Sequence, residues 1–205
     1  MHTILYNIRE RNFILKTLSR ISVHPFAAAG FFLLLFVSPP SYAFAVLSSV
    51  ILHELGHTLM AGFFHKKPIS VRIMPTGISI LLPPASSYAE EFLIACAGPL
   101  MNLLYALLCG FLPYGIGGTV RNVSLLLAIL NLIPIAPLDG GRILSSLLSP
   151  LFGTECSARI SDFFSLLLLS LLWILALYIF FYSGANFMLL LFCTYLFSYI
   201  VLKKF

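Results

Sequence analysis

Six apolar stretches, separated by short polar segments, dominate the pattern of hydrophobic and polar residues along the chain. A helix needs about 20 apolar residues to cross the hydrocarbon core of a bilayer, with roughly 17–25 as the working range. Four stretches reach that length, whereas the first is short and the fourth is short and interrupted by Asn131 and two prolines. The pattern predicts an all-α, polytopic membrane protein of about six transmembrane helices. The predicted spans are Pro25–Val37, Tyr42–Phe64, Phe92–Leu112, Val123–Leu138, Phe163–Tyr182 and Ala185–Leu202.

The positions of the basic residues favour six crossings with both termini on the cytoplasmic side. Cytoplasmic loops of membrane proteins carry an excess of Lys and Arg. With six spans, Arg121 is the single basic residue outside. If Pro25–Val37 did not cross, the four basic residues that precede it would lie outside as well. We therefore expect a multi-pass topology, in which the broken end of Val123–Leu138 lines a cavity within the protein.

Composition agrees with a membrane protein and narrows the classes of function. Hydrophobic residues make up 60% of the 205 residues and charged residues only 9%, which leaves too few polar side chains to cover a soluble domain. We expect a single membrane domain over residues 1–205. The net charge is +5, but the sequence has no basic stripe interleaved with aromatic residues, so nucleic acid is not an expected partner.

One segment, Pro68–Pro84, has the pattern of β-strands. Two short β-branched runs, Ile69–Ile73 and Ile78–Leu82, flank a Pro-Thr-Gly tripeptide that has the composition of a turn. The pattern predicts a small β-hairpin on the cytoplasmic side, directly after the second span. The alternative is a loop that lies on the membrane surface and fills the space between the second and third spans.

A metal-binding pattern, His53-Glu54-Leu55-Gly56-His57, lies within the second span. On a helix the two histidines are one turn apart, so both imidazoles can bind one metal ion, and Glu54 beside them can take a proton from a water molecule. Zinc suits this chemistry because it makes a bound water nucleophilic at neutral pH. The alternative is a set of polar residues satisfied by neighbouring helices. A charge at the centre of a membrane helix costs about 2.5–3.5 kcal/mol, however, so three ionisable groups in five residues favour a metal site.

Asp139 is the candidate for a third ligand, since a catalytic zinc site has three protein ligands and one open position. It lies near the end of the segment Asn131–Gly141, in which two prolines block a regular helix and two glycines free the chain to turn. The alternative is a carboxylate at a helix end that pairs with Arg142. The remaining carboxylates, which lie in ordinary settings, are Glu10, Glu90, Glu91, Glu155 and Asp162.

The two motifs together resemble the signatures of the site-2 protease family of intramembrane zinc metalloproteases, peptidase family M50. Further matches resemble the sporulation branch of that family, the stage IV sporulation protein FB type, and the motifs span about residues 20–145. The matching segments are Val23-His24-Pro25-Phe26, His53-Glu54-Leu55-Gly56-His57, Glu90-Glu91-Phe92, Ala97-Gly98-Pro99-Leu100 and Asn131 to Gly141.

The resemblance implies an endopeptidase that cuts transmembrane or membrane-associated protein substrates near the cytoplasmic face, as in regulated intramembrane proteolysis. It implies His53, His57 and Asp139 as ligands of one Zn2+ per chain. It implies Glu54 as the catalytic acid and base that activates the water, and Asn131 as a catalytic polar residue beside the site.

The same resemblance implies a bacterial cell membrane as the location. The candidate partners are a membrane-protein substrate, the lipid bilayer and an inhibitory membrane protein. Members of the sporulation type commonly carry a C-terminal CBS domain, whereas this sequence ends at Phe205, shortly after the last predicted span. We therefore expect neither a CBS domain nor a PDZ domain.

The predicted hairpin is the candidate for holding substrate. A peptide bond within a helix is shielded until the helix is extended, and an unpaired strand edge can bind an extended segment through backbone hydrogen bonds. The candidate substrate-binding residues are Val71, Ile73, Ile78 and Ile80.

Two other classes of function fit the sequence less well than a protease. A non-proteolytic metal-binding membrane protein or metal transporter would need further ligands along a path, whereas the polar residues of this sequence cluster at one depth. An inactive homologue acting as a scaffold would be expected to lack Glu54 or a ligand, and all four residues are present.

Overall fold

The computed structural model describes residues 21–23, 38–74, 77–111, 115–183 and 187–204. These residues form six α-helices and three short β-strands. The predicted first span, Pro25–Val37, lies outside them. In chain order the elements are β1 (Ile21–Val23), α1 (Pro40–Phe63), β2 (Ser70–Met74), β3 (Gly77–Leu81), α2 (Tyr88–Cys109), α3 (Ile116–Leu132), α4 (Asp139–Phe152), α5 (Thr154–Ser183) and α6 (Phe187–Lys204).

Three helices, α1, α2 and α5, are long and apolar enough to cross a membrane. They contain nearly all of the second, third and fifth predicted spans. Helix α5 is much longer than the predicted stretch, because it begins at Thr154, directly after Gly153. Helix α6 corresponds to the sixth stretch, and α3 is apolar but has only 17 residues. The predominantly helical fold is confirmed, and the count of six spans stays a prediction.

The fourth predicted span, Val123–Leu138, is not one continuous helix, and the chain breaks near its end, where the sequence predicts an interruption. Helix α3 begins seven residues earlier, at Ile116, and ends at Leu132. The chain is extended at Ile133, with φ −63° and ψ 129°, because the proline that follows disfavours helical geometry at this position. A further helix, α4, begins at Asp139 and was not predicted, since its 14 residues are too few for a span.

Helix α2 is the centre of the described fold. It packs against α1, α3 and α4, while α5 packs against α4 and α6. One apolar cluster joins α1, α2 and α3 around Ala45 and Val120, and a second joins α5 and α6 around Leu169 and Leu196. Ile135, from the irregular segment before α4, is fully buried in the second cluster. The irregular segment is therefore packed on α5 and α6.

The strands form one small sheet in the order β1-β2-β3. Strands β2 and β3 pair antiparallel, and their bounds differ by one residue from the two predicted runs. Strand β1 pairs with β2 in parallel and was not predicted, since Ile21 lies 50 residues before its partner Val71. Both edges of β2 are therefore occupied, whereas β3 pairs on one side only among the described residues.

Polar contacts hold the chain at the start of α2. Ser87 caps the helix by accepting a hydrogen bond from the Glu90 backbone N–H, at 3.1 Å, and Glu90 Oε2 accepts from the Ser86 N–H at 2.9 Å. Lys66, just after α1, lies 2.9 Å from Glu90 Oε1 and also donates to the carbonyl oxygen of Pro84. The pair is largely buried, with side chains 12% and 7% exposed, so it ties the end of α1 to the start of α2.

We predict that breaking the Lys66–Glu90 pair destabilises the protein. Lys66→Met or Glu90→Gln should each lower the free energy of unfolding by roughly 3–5 kcal/mol, because each leaves a buried charge without its partner. The double variant should recover part of that loss. Unfolding of the purified protein in detergent measures these differences. Glu155→Gln is the control, since the Glu155 carboxylate is 90% exposed and should contribute nothing measurable. Equal stability of the parent and both single variants would contradict the prediction.

Candidate metal centre

Three side chains from two helices bring one donor atom each to a common point. His53 and His57, both in α1, have their Nε2 atoms 3.1 Å apart. Asp139 Oδ2, at the first residue of α4, lies 3.0 Å from His53 Nε2 and 3.2 Å from His57 Nε2. All three side chains are buried. The prediction that these residues share one site agrees with this geometry.

The donor atoms fit a tetrahedral metal ion. Ligands at about 2.0–2.1 Å from a tetrahedral centre are separated from one another by roughly 3.3 Å. The observed separations of 3.0–3.2 Å are close to that value. Asp139 Oδ2 is buried and has no hydrogen-bond donor among the described residues. His57 Nδ1 lies 2.7 Å from the carbonyl oxygen of Ile94, which assigns the ring proton to Nδ1 and leaves the Nε2 lone pair facing Asp139. A cation bound between them would satisfy both the Asp139 oxygen and the His57 nitrogen, which face each other as electron-pair donors.

The irregular segment and its contacts determine the position of Asp139. The Ala136 backbone N–H donates to the hydroxyl of Ser165, at 2.8 Å, which attaches the segment to α5. A Cβ atom at Gly140 would lie 2.3 Å from the carbonyl oxygen of Ile133, so the start of α4 lies directly against the segment that precedes it. The two prolines and the glycine pair thus produce the broken geometry that the sequence predicts.

The position of Asp139 is compatible with both roles that the sequence left open, because its two oxygens face different partners. Oδ2 faces the histidines, and Oδ1 accepts from Arg142 at 3.4 Å. Arg142 Nε in turn donates to Glu91 at 2.8 Å. The guanidinium therefore orients the carboxylate from the side opposite the donor cluster.

Two glycines allow the histidines to lie directly on α2. A Cβ atom at Gly98 would lie 2.3 Å from His57 Nε2 and 2.9 Å from His53 Cε1. One at Gly56 would lie 2.5 Å from the carbonyl oxygen of Ala97. Helices α1 and α2 therefore approach at the donor cluster more closely than any side chain at these positions would permit.

Glu54 lies beside the donor cluster and contacts the sheet. Its Oε2 accepts a hydrogen bond from the backbone N–H of Ile80, at 3.2 Å. Since that N–H points to Glu54, it is directed away from β2, and the outer edge of β3 faces the candidate site. The sequence did not predict this contact, because a carboxylate and a backbone group 26 residues apart leave no pattern.

A cavity of about 600 Å³ joins these groups. His53, His57, Asp139 and Glu54 line it together with Ile80, Asn131 and residues of α6 such as Tyr195. The side chain of Asn131 donates from Nδ2 to the carbonyl oxygen of Leu127 at 3.0 Å, within its own helix. Of the four candidate substrate-binding residues, Ile80 lines the cavity, and Val71 and Ile73 belong to the central strand β2.

Several residues beside the site escaped sequence reasoning. The sequence setting of Glu91 is that of an ordinary carboxylate, and no sequence pattern marks Asn102, Ser165 or the Ile94 carbonyl as part of the site. Spacing in α2 offers a partial signal, since Ile94, Gly98 and Asn102 recur every four residues on one helical face.

Comparisons with known proteins agree with the motifs. Residues 117–175 match the sequence profile described as Peptidase family M50. The chain is 33% identical over 154 residues to a zinc metalloprotease of Methanocaldococcus jannaschii, covering 69% of this chain and 42% of that protein. It is 31% identical over 150 residues to stage IV sporulation protein FB of Bacillus subtilis, covering 66% of this chain and 50% of that protein. The chain thus spans half or less of the length of these curated relatives.

The fold also has a solved counterpart. The site-2 protease from Methanocaldococcus jannaschii superposes with a TM-score of 0.64, over 90% of each chain and at 24% sequence identity. The helical arrangement is therefore shared with a site-2 protease. The resemblance seen in the sequence is confirmed by the profile, the relatives and the fold together.

We predict that Gly98→Ala abolishes metal uptake. The added Cβ would overlap the His57 ring, so both histidines would have to move off the common point. Gly62→Ala is the matched control in α1, since a Cβ at Gly62 meets nothing within 4 Å. It should keep the metal, and a gain of up to about 1 kcal/mol in helix stability is expected. Metal content of the purified proteins measures both effects, and a full metal load in Gly98→Ala would contradict the close contact of α1 and α2.

Proposed function

We propose that this chain, which belongs to the site-2 protease family (peptidase family M50), is an intramembrane zinc endopeptidase. One observation carries the proposal. The buried donor atoms of His53, His57 and Asp139 face one another at 3.0–3.2 Å, with the carboxylate of Glu54 beside them. A metal transporter is not favoured, since the relative from Methanocaldococcus jannaschii is a zinc metalloprotease.

The ligand set suits one zinc ion per chain. Two imidazoles and one carboxylate leave the fourth tetrahedral position free for water or substrate. When bound, zinc lowers the pKa of a coordinated water to about 7 and polarises the carbonyl under attack. Hydrogen bonds to the outer atoms of the ligands hold them for this purpose, through Ile94 for His57 and Arg142 for Asp139.

We propose that Glu54 transfers the proton and that Asn131 stabilises the developing negative charge. Glu54 takes a proton from the attacking water and later gives it to the leaving amine, which is the usual role of a carboxylate at this position of the motif. The Asn131 amide has two hydrogens, of which one is used by the Leu127 carbonyl. We infer that the second is available to donate to the oxyanion that develops on the scissile carbonyl.

The substrate is proposed to be a membrane-spanning or membrane-associated segment, cut near the cytoplasmic face of a multi-pass protein in a bacterial membrane. Lys66 and Arg142 lie at the end of the bundle that carries the sheet and the cavity. Basic residues at one end of a bundle favour the cytoplasmic side. Both termini would then be cytoplasmic, as the full pattern of six spans requires.

We further propose that substrate binds as an added strand on β3. The Ile80 N–H already points to Glu54, so a strand paired with the outer edge of β3 would run along the cavity. Edge pairing would extend a helical segment and expose its carbonyl groups to the site. Strand β2 pairs with a neighbour on each side, so its residues Val71 and Ile73 are not free to pair with a substrate strand. Of the four candidate substrate-binding residues, Ile78 and Ile80 remain, because they lie on the edge strand β3.

We predict that Glu54→Gln and Asp139→Ala fail in different ways. Glu54→Gln should keep the metal and lose cleavage by about 10²–10⁴-fold, because an amide cannot accept the proton. Asp139→Ala should lose both metal and cleavage, because two histidines do not complete the site. The measurements are zinc content and cleavage of a single-span substrate in detergent or proteoliposomes, with exposed Glu155→Gln as control. Normal turnover by Glu54→Gln would end the proposed mechanism, and full zinc in Asp139→Ala would end the ligand assignment.

We predict that Ile80→Pro slows cleavage without removing zinc. Proline removes the one N–H that reaches Glu54 and the cavity, and an edge strand tolerates proline on its outer side. Ile80→Val is the control, since it keeps the N–H and a β-branched side chain. Zinc content and the cleavage rate of a single-span substrate are measured for both. Equal rates for the proline variant and the parent would rule out substrate pairing at this position.

A further inference from the structure

Asn102 is a buried polar residue in contact with a candidate ligand. It lies in α2, its exposure is 0%, and its side-chain amide is 3.2 Å from His53 Nδ1. Its backbone carbonyl oxygen separately accepts from the hydroxyl of Ser124, at 2.9 Å. A buried amide in an apolar helix is costly unless its polar atoms find partners. Among the described residues, the hydrogen bond of the Asn102 side chain is the one with His53.

The orientation of the Asn102 amide determines which ring nitrogen of His53 carries the proton. With Nδ2 towards His53, the Oδ1 atom of Asn102 is buried without a partner among the described residues. The two ends of an amide have nearly the same shape, so their exchange costs little space and places Oδ1 towards His53 Nδ1. The Nδ1–H of the ring can then donate to Oδ1. That orientation gives the orphaned oxygen a donor.

We propose that Asn102 is a positioning residue, whose side-chain oxygen accepts from His53 Nδ1–H and so directs the His53 Nε2 lone pair to the metal. This inference rests on the proposed zinc site. It gives the two histidines matching arrangements, since the Ile94 carbonyl already does the same for His57. A hydrogen bond of this kind fixes the tautomer and ring orientation of a ligating histidine, and its loss typically weakens metal binding 10–100-fold.

The position of Asn102 supports this role. Ile94, Gly98 and Asn102 lie along one face of α2, where the first supports His57, the second leaves space for both rings and the third supports His53. The bond from Ser124 to the Asn102 backbone survives a change of side chain. The packing of α2 against α3 can therefore be tested separately from the contact with His53.

The experiment compares Asn102→Leu, Asn102→Asp and Ser124→Ala in the full chain. Leucine keeps the approximate size of the side chain but cannot accept a hydrogen bond, whereas aspartate keeps the acceptor. Zn2+ affinity is measured by competition with a chelator, and thermal unfolding of the metal-free proteins is measured alongside. We expect Asn102→Leu to bind zinc 10–100-fold more weakly than the parent. Asn102→Asp and Ser124→Ala should stay within about threefold.

Nitrogen-15 NMR of the histidine side chains supplies a readout that packing alone would not move. His53 in the parent should carry its proton on Nδ1, and Asn102→Leu should lose that preference. Zinc affinity within threefold of the parent in Asn102→Leu overturns the inference. An equal loss in the leucine and aspartate variants, together with lower thermal stability, also overturns it, because the role is then packing. If the parent itself binds no zinc, the proposed function fails, while the His53 tautomer still tests the hydrogen bond.

Discussion

The structure depends on holding three electron-pair donors together on side chains that are largely buried. The Nε2 atoms of His53 and His57 and the Oδ2 atom of Asp139 lie within 3.0–3.2 Å of one another, and all three side chains are buried. Such a cluster is unfavourable by itself, because burial weakens the screening of like partial charges and removes hydrogen-bond donors. A divalent cation bound between the three donor atoms makes the same arrangement favourable. The donors and their burial therefore suit a bound cation.

Helix α2 is the surface on which that cluster is built. The carbonyl of Ile94, the bare backbone at Gly98 and the amide of Asn102 face the histidines at successive turns. Gly56 allows the reciprocal approach from α1. Two helices this close have no room to repack around a larger residue. The positions of the two histidines are therefore set by the contact between the backbones of α1 and α2.

Charged residues at one end of the bundle connect the site to the sheet. Arg142 links Glu91 to Asp139, and Lys66 links Glu90 to the chain that leads from β3 into α2. Glu91 and Arg142 line the same cavity as Ile80, whose N–H reaches Glu54. In the proposed protease, the same end of the molecule would hold the ligands in place and present the strand edge on which substrate is extended.

The sequence by itself determined the helical membrane fold, the His53–His57 pair, Glu54 and the choice of Asp139, because each leaves a local signal. Apolar length, four-residue spacing on a helix, and prolines beside glycines are all readable within a short window. Tertiary structure decided what joins distant segments: the parallel pairing of Ile21–Val23 with β2, the contact of Ile80 with Glu54, and the support of His53 by Asn102. It also decided where α3 ends and α4 begins, since the irregular segment between them is stabilised by packing on α5 and α6. Such contacts depend on which helices become neighbours, and no pattern of residues along one segment records that.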